Sequence, residues 1–269
     1  MLTIITAPKA FCSHIAVIQH NAIGSWKQLH PEVEILLFGN DEGIEAAAKK
    51  HSVTWIPKVP TNPYGTPLLS YIFSEGQKIA TNDCICYVNT DIILFPDLID
   101  AIKGIHFPQF LLVGKRWNVD IRDPVSFDYP QWKENILSLA RNNGILAPPY
   151  YIDCFVFPKG TVAQMPPFAV GRAGWDNWMI YSTRKRKIPV IDGTNAITLV
   201  HQNHDYSHIS TRTSQDWEGP ETESNRSLVG GVKYLWDIDD SDWKMDGEEV
   251  KKKFPGLQWM YRKMWRALK

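Results

Sequence analysis

The residues of this chain best placed to do chemistry are Asn89, Thr90 and Asp91, which follow the apolar run Cys84-Ile85-Cys86-Tyr87-Val88 and precede Ile92-Ile93-Leu94. A carboxylate and an amide two apart where a strand ends project to one side, which suits a divalent cation held through oxygen. Asp91 is the firm candidate ligand. Mn2+ or Mg2+ held by so few protein groups completes its shell with water and a substrate diphosphate. The same residues also fit an Asx turn capping the next helix, and local sequence leaves both readings open.

A second group is Gly171-Arg172-Ala173-Gly174-Trp175-Asp176-Asn177-Trp178. Its two glycines force a turn that delivers Asp176 to a helix start, between two aromatic rings. The helix N-terminus stabilises the carboxylate while the rings desolvate it, so Asp176 can act as a general base toward a hydroxyl. The flat faces of Trp175 and Trp178 can stack on a pyranose; the alternative is an N-cap Asp between two core tryptophans. The third group is His201-Gln202-Asn203-His204-Asp205-Tyr206-Ser207-His208. One histidine sharing a cation with Asp91 is favoured over dedicated zinc, because neither Cys nor an HExxH pattern accompanies the run.

Weaker candidates are Thr6-Ala7-Pro8 and Gly39-Asn40-Asp41, each after an expected strand, with Asp41 able to accept from a base or ribose. The stretch Asn62 to Pro67, with Thr66, either brings polar groups toward the same crevice or simply starts a helix. GxGxxG, GxxxxGK[ST] and GxSxG patterns are absent, which removes the main support for dinucleotide, P-loop and serine-elbow readings.

Positioning these groups requires a sheet with loops at the ends of its strands. β-rich runs at Leu2 to Thr6, Val33 to Phe38, Val53 to Ile56, Cys84 to Val88 and Phe110 to Val113 alternate with helix-like stretches. Those stretches are Ser13 to Trp26, Glu42 to Lys50, Leu68 to Ile79 and one opening at Phe95-Pro96-Asp97. Further on, Pro130 to Asn142 and Trp175 to Lys187 read as helices, Tyr151 to Phe157 and Ile197 to Val200 as strands. The expectation is an α/β, doubly wound, mainly parallel sheet flanked by helices, with an irregular C-terminal extension. Within the extension, Asp237 to Glu249 reads as a solvated acidic loop and Trp259 to Lys269 as a basic amphipathic helix. That helix either packs on the domain or lies on an anionic membrane surface.

The 269 residues suffice for a large core without staples, and 44% apolar with 22% charged residues is the balance of a globular protein. Twenty-nine basic against 29 acidic residues leave no net field for a nucleic-acid backbone, so nucleic acid is excluded as a partner. Cys12, Cys84, Cys86 and Cys154 lack zinc-site spacing and read as free thiols. The opening MLTIITAPK lacks a basic n-region, and the expectation is a cytoplasmic location.

Taken in order, ITAPK, LLFGNDEG, YVNTDIIL, GRAGWDNW and VHQNHDYSH resemble the motifs of GT-A nucleotide-sugar glycosyltransferases, especially bacterial family-2-like enzymes, over about the first 210 residues. The resemblance implies a catalytic unit over 1–210, with a donor half over 1–115, an acceptor half over 116–210 and the extension over 211–269. It implies that Asn89-Thr90-Asp91 stands at the family's Asp-x-Asp element, with Asp91 carrying the metal together with His201 or His204. Thr6, Ala7, Asp41, Thr66, Asn89 and Thr90 would face the donor, Asp176 would be the base, and Trp175, Asn177, Trp178 and Asp153 would face the acceptor. The implied reaction moves a sugar from a nucleotide-sugar, UDP by default, to a glycan or lipid-linked hydroxyl, with inversion. A nucleotidyltransferase and a non-catalytic carbohydrate-binding module are the competing readings.

Overall fold

A computed structural model describes residues 1–162, 164–204 and 219–253. Its strands are β1 (Leu2–Thr6), β2 (Glu34–Phe38), β3 (Thr54–Ile56), β4 (Cys84–Val88), β5 (Ile92–Leu94), β6 (Leu111–Val113), β7 (Trp117–Val119), β8 (Ile145–Leu146), β9 (Cys154–Pro158), β10 (Val190–Asn195), β11 (Leu199–Gln202), β12 (Trp243–Asp246) and β13 (Glu249–Lys252). Its helices are α1 (Ser13–Lys27), α2 (Ile44–His51), α3 (Leu69–Ile79), α4 (Asp97–Gly104), α5 (Trp132–Asn143), α6 (Trp175–Lys185) and α7 (Pro220–Val229).

Nine strands form one sheet in the order β13-β12-β10-β6-β9-β4-β1-β2-β3. All its pairings are parallel except those made by β9 and by the edge strand β13. The apolar run Cys84 to Val88 lies inside it, between β1 and β9. Its side chains alternate between two cores, as the pleat requires. Cys86 and Val88 join Ala22, Ile23 and Trp26 of α1 and Leu98 of α4 on one face. Ile85 and Tyr87 join Ile72 and Phe73 of α3 and Met179 and Ile180 of α6 on the other. Helices on both faces bury both sides of the sheet, so its strands read as continuous apolar runs.

β5, β11, β7 and β8 form a separate four-stranded sheet, in which β11 runs antiparallel to β5 and parallel to β7. It packs on α5 through Val200, Val119, Trp132, Ile136 and Ala140. The expected strand Ile197 to Val200 thus lies outside the main sheet.

The acidic stretch Asp237 to Glu249 corrects its expectation as a solvated loop. Ile238–Asp240 forms a 3-10 turn closed by a reciprocal cap between Asp237 and Asp240. Beyond it β12 pairs in parallel with β10 and extends the main sheet. Ile238 and Met245 are 0% exposed, so two apolar residues embedded in the charged stretch anchor it to the core. The basic stretch Trp259 to Lys269 lies outside the described residues, as do Asp205 to His208. No described helix is long and apolar enough to cross a membrane. All four cysteines are free.

Candidate functional site

Asp91 sits in the short link between β4 and β5, and the pairing of β11 with β5 lays His201 opposite Ile92, the residue after Asp91. His204 follows just past the end of β11. His204 Nε2 stands 3.3 Å and His201 Nε2 3.7 Å from Asp91 Oδ2. Ligand-capable atoms of all three residues lie within 4.8 Å of one another. Asp91 Oδ1 and His201 Nδ1 are buried with no hydrogen-bond partner, an expensive arrangement in a closed core.

Burial raises the Asp91 carboxyl's pKa, but the charge of His201, the hydrogen bond with His204 and the charge of Lys9 outweigh it and hold the group well below the usual carboxylate range. Burial lowers the His201 pKa, which favours the neutral imidazole that a metal requires. One ionised carboxylate and two imidazoles, with an orphaned carboxylate oxygen among them, make a donor set that fits Mn2+ and, through the oxygen, Mg2+.

The scaffold behind this cluster is a buried amide pair. Gln202, 0% exposed, donates through Nε2 to the carbonyls of Ile18 and Asp91 and accepts from Asn21 Nδ2. Asn21 in turn accepts the Val125 N–H. Trp26 donates its indole N–H to the Ile92 carbonyl, so α1 also ties down the residue that follows Asp91.

Asn89 turns away from Asp91. Its amide donates to Asp153 Oδ1 at 2.6 Å, and its backbone N–H donates to the Asp153 carbonyl. The Asx-turn reading is therefore corrected, because the side chain is committed across the sheet and the next element is β5 rather than a helix. Asp153 arrives there because β9 runs antiparallel to β4, which puts the residue before one strand beside the residue after the other. Arg116 Nη1 closes on Asp153 Oδ2 at 2.5 Å and its Nε donates to Asn118. Thr90 and Thr6 share a buried hydroxyl hydrogen bond of 2.8 Å that joins the ends of β4 and β1.

Asp176 occupies the first turn of α6, where the expected glycine turn delivers it: Gly171 and Gly174 have φ of +68° and +102°, a region that favours residues without a side chain. Its Oδ1 is buried and unpartnered. Burial pushes the Asp176 carboxyl up to about 7, backbone N–H groups of the helix start counter part of that rise, and the Asp153 charge adds to it. Burial, then the charges of Asp153 and Asp91, drives the Tyr87 hydroxyl upward.

The aromatic acceptor face is corrected. Trp175 is 5% exposed, its ring centroid 5.2 Å from Tyr87, 5.1 Å from Phe155 and 6.2 Å from Phe73, so no face is left for a sugar. A large ring beside the sheet centre gains more from burial than a solvent-facing position offers. Trp178 is half-buried and meets Phe168 edge-on. Asn177 donates to the Trp236 carbonyl and accepts the Trp236 N–H, which ties α6 to the C-terminal segment.

Thr66 lies in a loop whose Asn62 bonds Glu221, and Arg172 grips the same Glu221. Ala7 is half-buried after β1, and Asp41 is exposed after β2. Arg116, Gln202, Asn21 and Lys9 were missed as site residues; Gln202 lies inside the histidine run and Lys9 inside ITAPK, whereas Arg116 and Asn21 carried no local signal.

No protein-family model matches the sequence, and no curated protein matches it. Similar solved structures include a mannosyltransferase from Pyrobaculum calidifontis with GDP-mannose and Mn2+, at 11% identity and a TM-score of 0.47, covering 76% of this chain and 57% of that one. This chain thus spans little more than half of that protein. Another is glucosyl-3-phosphoglycerate synthase from Mycobacterium tuberculosis, at 13% identity and a TM-score of 0.49, covering 86% of this chain and 80% of that one. The same enzyme with Mn2+, UDP and phosphoglyceric acid matches at 13% identity and a TM-score of 0.49, covering 86% and 78%.

Proposed function

We propose that this chain is a metal-assisted glycosyltransferase that moves a sugar from a nucleotide-sugar, UDP-linked by default, to a hydroxyl of a glycan or lipid-linked acceptor, with inversion. The observation that carries the proposal is the contrast between two carboxylates: Asp91, ionised and flanked by histidines, and Asp176, its Oδ1 buried and its carboxyl raised to about 7 by burial and by the charge of Asp153. Groups whose environments push their pKa values apart are suited to separate roles in one reaction.

Asp91, His201 and His204 would hold Mn2+ or Mg2+, which when bound supplies positive charge against the departing nucleoside diphosphate. Thr6, Ala7 and Asp41 flank the ends of β1 and β2, where an open α/β sheet receives a nucleoside, with Asn89 and Thr90 at the end of β4. Asp176, ionised above about pH 7, takes the proton of the acceptor hydroxyl as that oxygen attacks the anomeric carbon. Asp153, held by Asn89 and Arg116, raises the basicity of Asp176 and lines the acceptor side. The donor half is assigned to residues 1–115, the acceptor half to 116–210, and the basic stretch 259–269 to contact with an anionic membrane surface at the cytoplasmic side.

The test is turnover of a panel of UDP-, GDP- and dTDP-sugars with Mn2+ and mixed glycan acceptors, read as nucleoside diphosphate release. One donor is expected to turn over, and Asp176→Asn to lose at least about a hundredfold in kcat while still binding that donor. Full turnover by Asp176→Asn would remove its role as base.

A further inference from the structure

We propose that Asn225 and Glu221 of α7 are positioning residues for the proposed base Asp176, an assignment that rests on the transferase reading above. Glu221, Asn225 and Val229 recur every fourth residue, so they share one face of α7. That face meets the backbone from Ala169 to Gly174, which feeds directly into α6. Asn225 Oδ1 accepts the Ala169 N–H at 2.9 Å, and Asn225 Nδ2 donates to the carbonyls of Ala169 and Arg172 at 3.1 and 3.2 Å. Glu221 Oε2 accepts from Arg172 Nη2 and Nε at 2.6 and 3.0 Å, while its Oε1 accepts from Asn62 Nδ2 at 2.6 Å. A Cβ at Gly174 would lie 3.3 Å from Val229, so a residue without a side chain lets the turn close on α7. Successive turns of one helix thus hold this segment along its length.

Asn225 is 0% exposed. A buried amide costs more than an apolar residue of its size unless its bonds are made, and these three bonds go to the turn and not to α7 itself. The Arg172–Glu221 pair, with side chains 27% and 13% exposed, adds direction more than stability. What both fix is the start of α6. Asp176 Oδ1 is buried without a partner, so the aim of the carboxyl is set by the helix start beneath it. The Gly174 N–H, two residues back, is among the groups that favour the ionised form. A base must stand within hydrogen-bond reach of the proton it takes, and a misplacement of about 1 Å costs up to about a hundredfold in rate.

The test follows kcat and KM from about pH 5 to about pH 9 with the donor that turns over in the panel above, in the full chain, Asn225→Ala, Arg172→Ala and Arg172→Lys. Both alanine variants are expected to lose about tenfold in kcat at unchanged donor KM. The pH midpoint of kcat is expected to rise in both, because the ionised carboxyl loses N–H groups. Arg172→Lys, which keeps a charge within reach of Glu221, is expected to recover most of the loss. Arg172→Ala is expected to melt close to the unsubstituted chain, so it carries the test if Asn225→Ala does not fold. Unchanged kcat in folded Arg172→Ala, or a loss in kcat with an unmoved midpoint, overturns the assignment alone. A midpoint that falls also overturns it, since α7 would then shield Asp176 from water and not guide it. Absence of turnover with every donor in the unsubstituted chain overturns the transferase reading, and this assignment with it.

Discussion

Asp91 and Asp176 share a residue type, yet their surroundings divide them. Two histidines and a lysine keep the first ionised; a dry helix start keeps the second protonated up to about pH 7. Asp176 ordinarily titrates at 3.8. Between 3.8 and about 7 the folded protein holds a proton that the unfolded chain has released, so stability falls as pH rises through that window. Asp176→Asn, which stays neutral, is expected to melt higher than the unsubstituted protein at pH 8 and close to it near pH 4. Calorimetry at the two pH values checks this, and a lower melting temperature for the variant at pH 8 contradicts it. The sequence made this residue legible, because Gly171, Gly174 and the flanking rings are local. It misassigned Trp175, since whether a ring beside Asp176 faces ligand or core depends on Tyr87, Phe155 and Phe73 from three distant segments.

Among elements, α1 holds the Asp91–His201–His204 cluster without contributing a member to it. Its Asn21 and Ile18 meet Gln202, and its Trp26 meets Ile92, so the Asp91 link hangs from one helix. Gln202→Leu keeps the side-chain size but strips partners from Asn21 and two carbonyls, at an expected cost of about 1–3 kcal/mol in denaturant unfolding. Mn2+ affinity is expected to fall as well, because Asp91 and the adjacent His201 lose their common tie. Unchanged Mn2+ affinity in a folded Gln202→Leu protein contradicts the role given to α1. The main elements of the first half were readable, since β1 and β4 are short, largely apolar runs and α1 repeats Ile15, Ile18, Ala22 and Trp26 at helical spacing. The three-residue strands β3, β5, β6 and β7 and the two-residue β8 are too short to show a period, and of these only β3 and β6 were foreseen. The reversal of β9, which carries Asp153 to Asn89 and Arg116, is a property of sheet order that no local pattern encodes.

For the whole molecule, the main sheet gathers the candidate residues at one end of its central strands: Thr6, Asn89, Thr90, Asp91 and Asp153 stand where the ends of β1 and β4 meet the start of β9. The small sheet adds the histidines from the side. The C-terminal segment closes the opposite flank, since β12 extends the main sheet and Asn177 is bound to Trp236. The acidic composition of that segment concealed its two buried apolar anchors, Ile238 and Met245. The central claim is that this end of the sheet binds a nucleoside diphosphate through a cation held by Asp91. The most direct measurement is calorimetric titration of UDP, GDP and dTDP, with and without Mn2+, into the unsubstituted chain and Asp91→Ala. Binding of one nucleotide that requires Mn2+ and disappears in Asp91→Ala is the predicted result. Binding of none of them, or binding indifferent to both the metal and Asp91, would contradict the account.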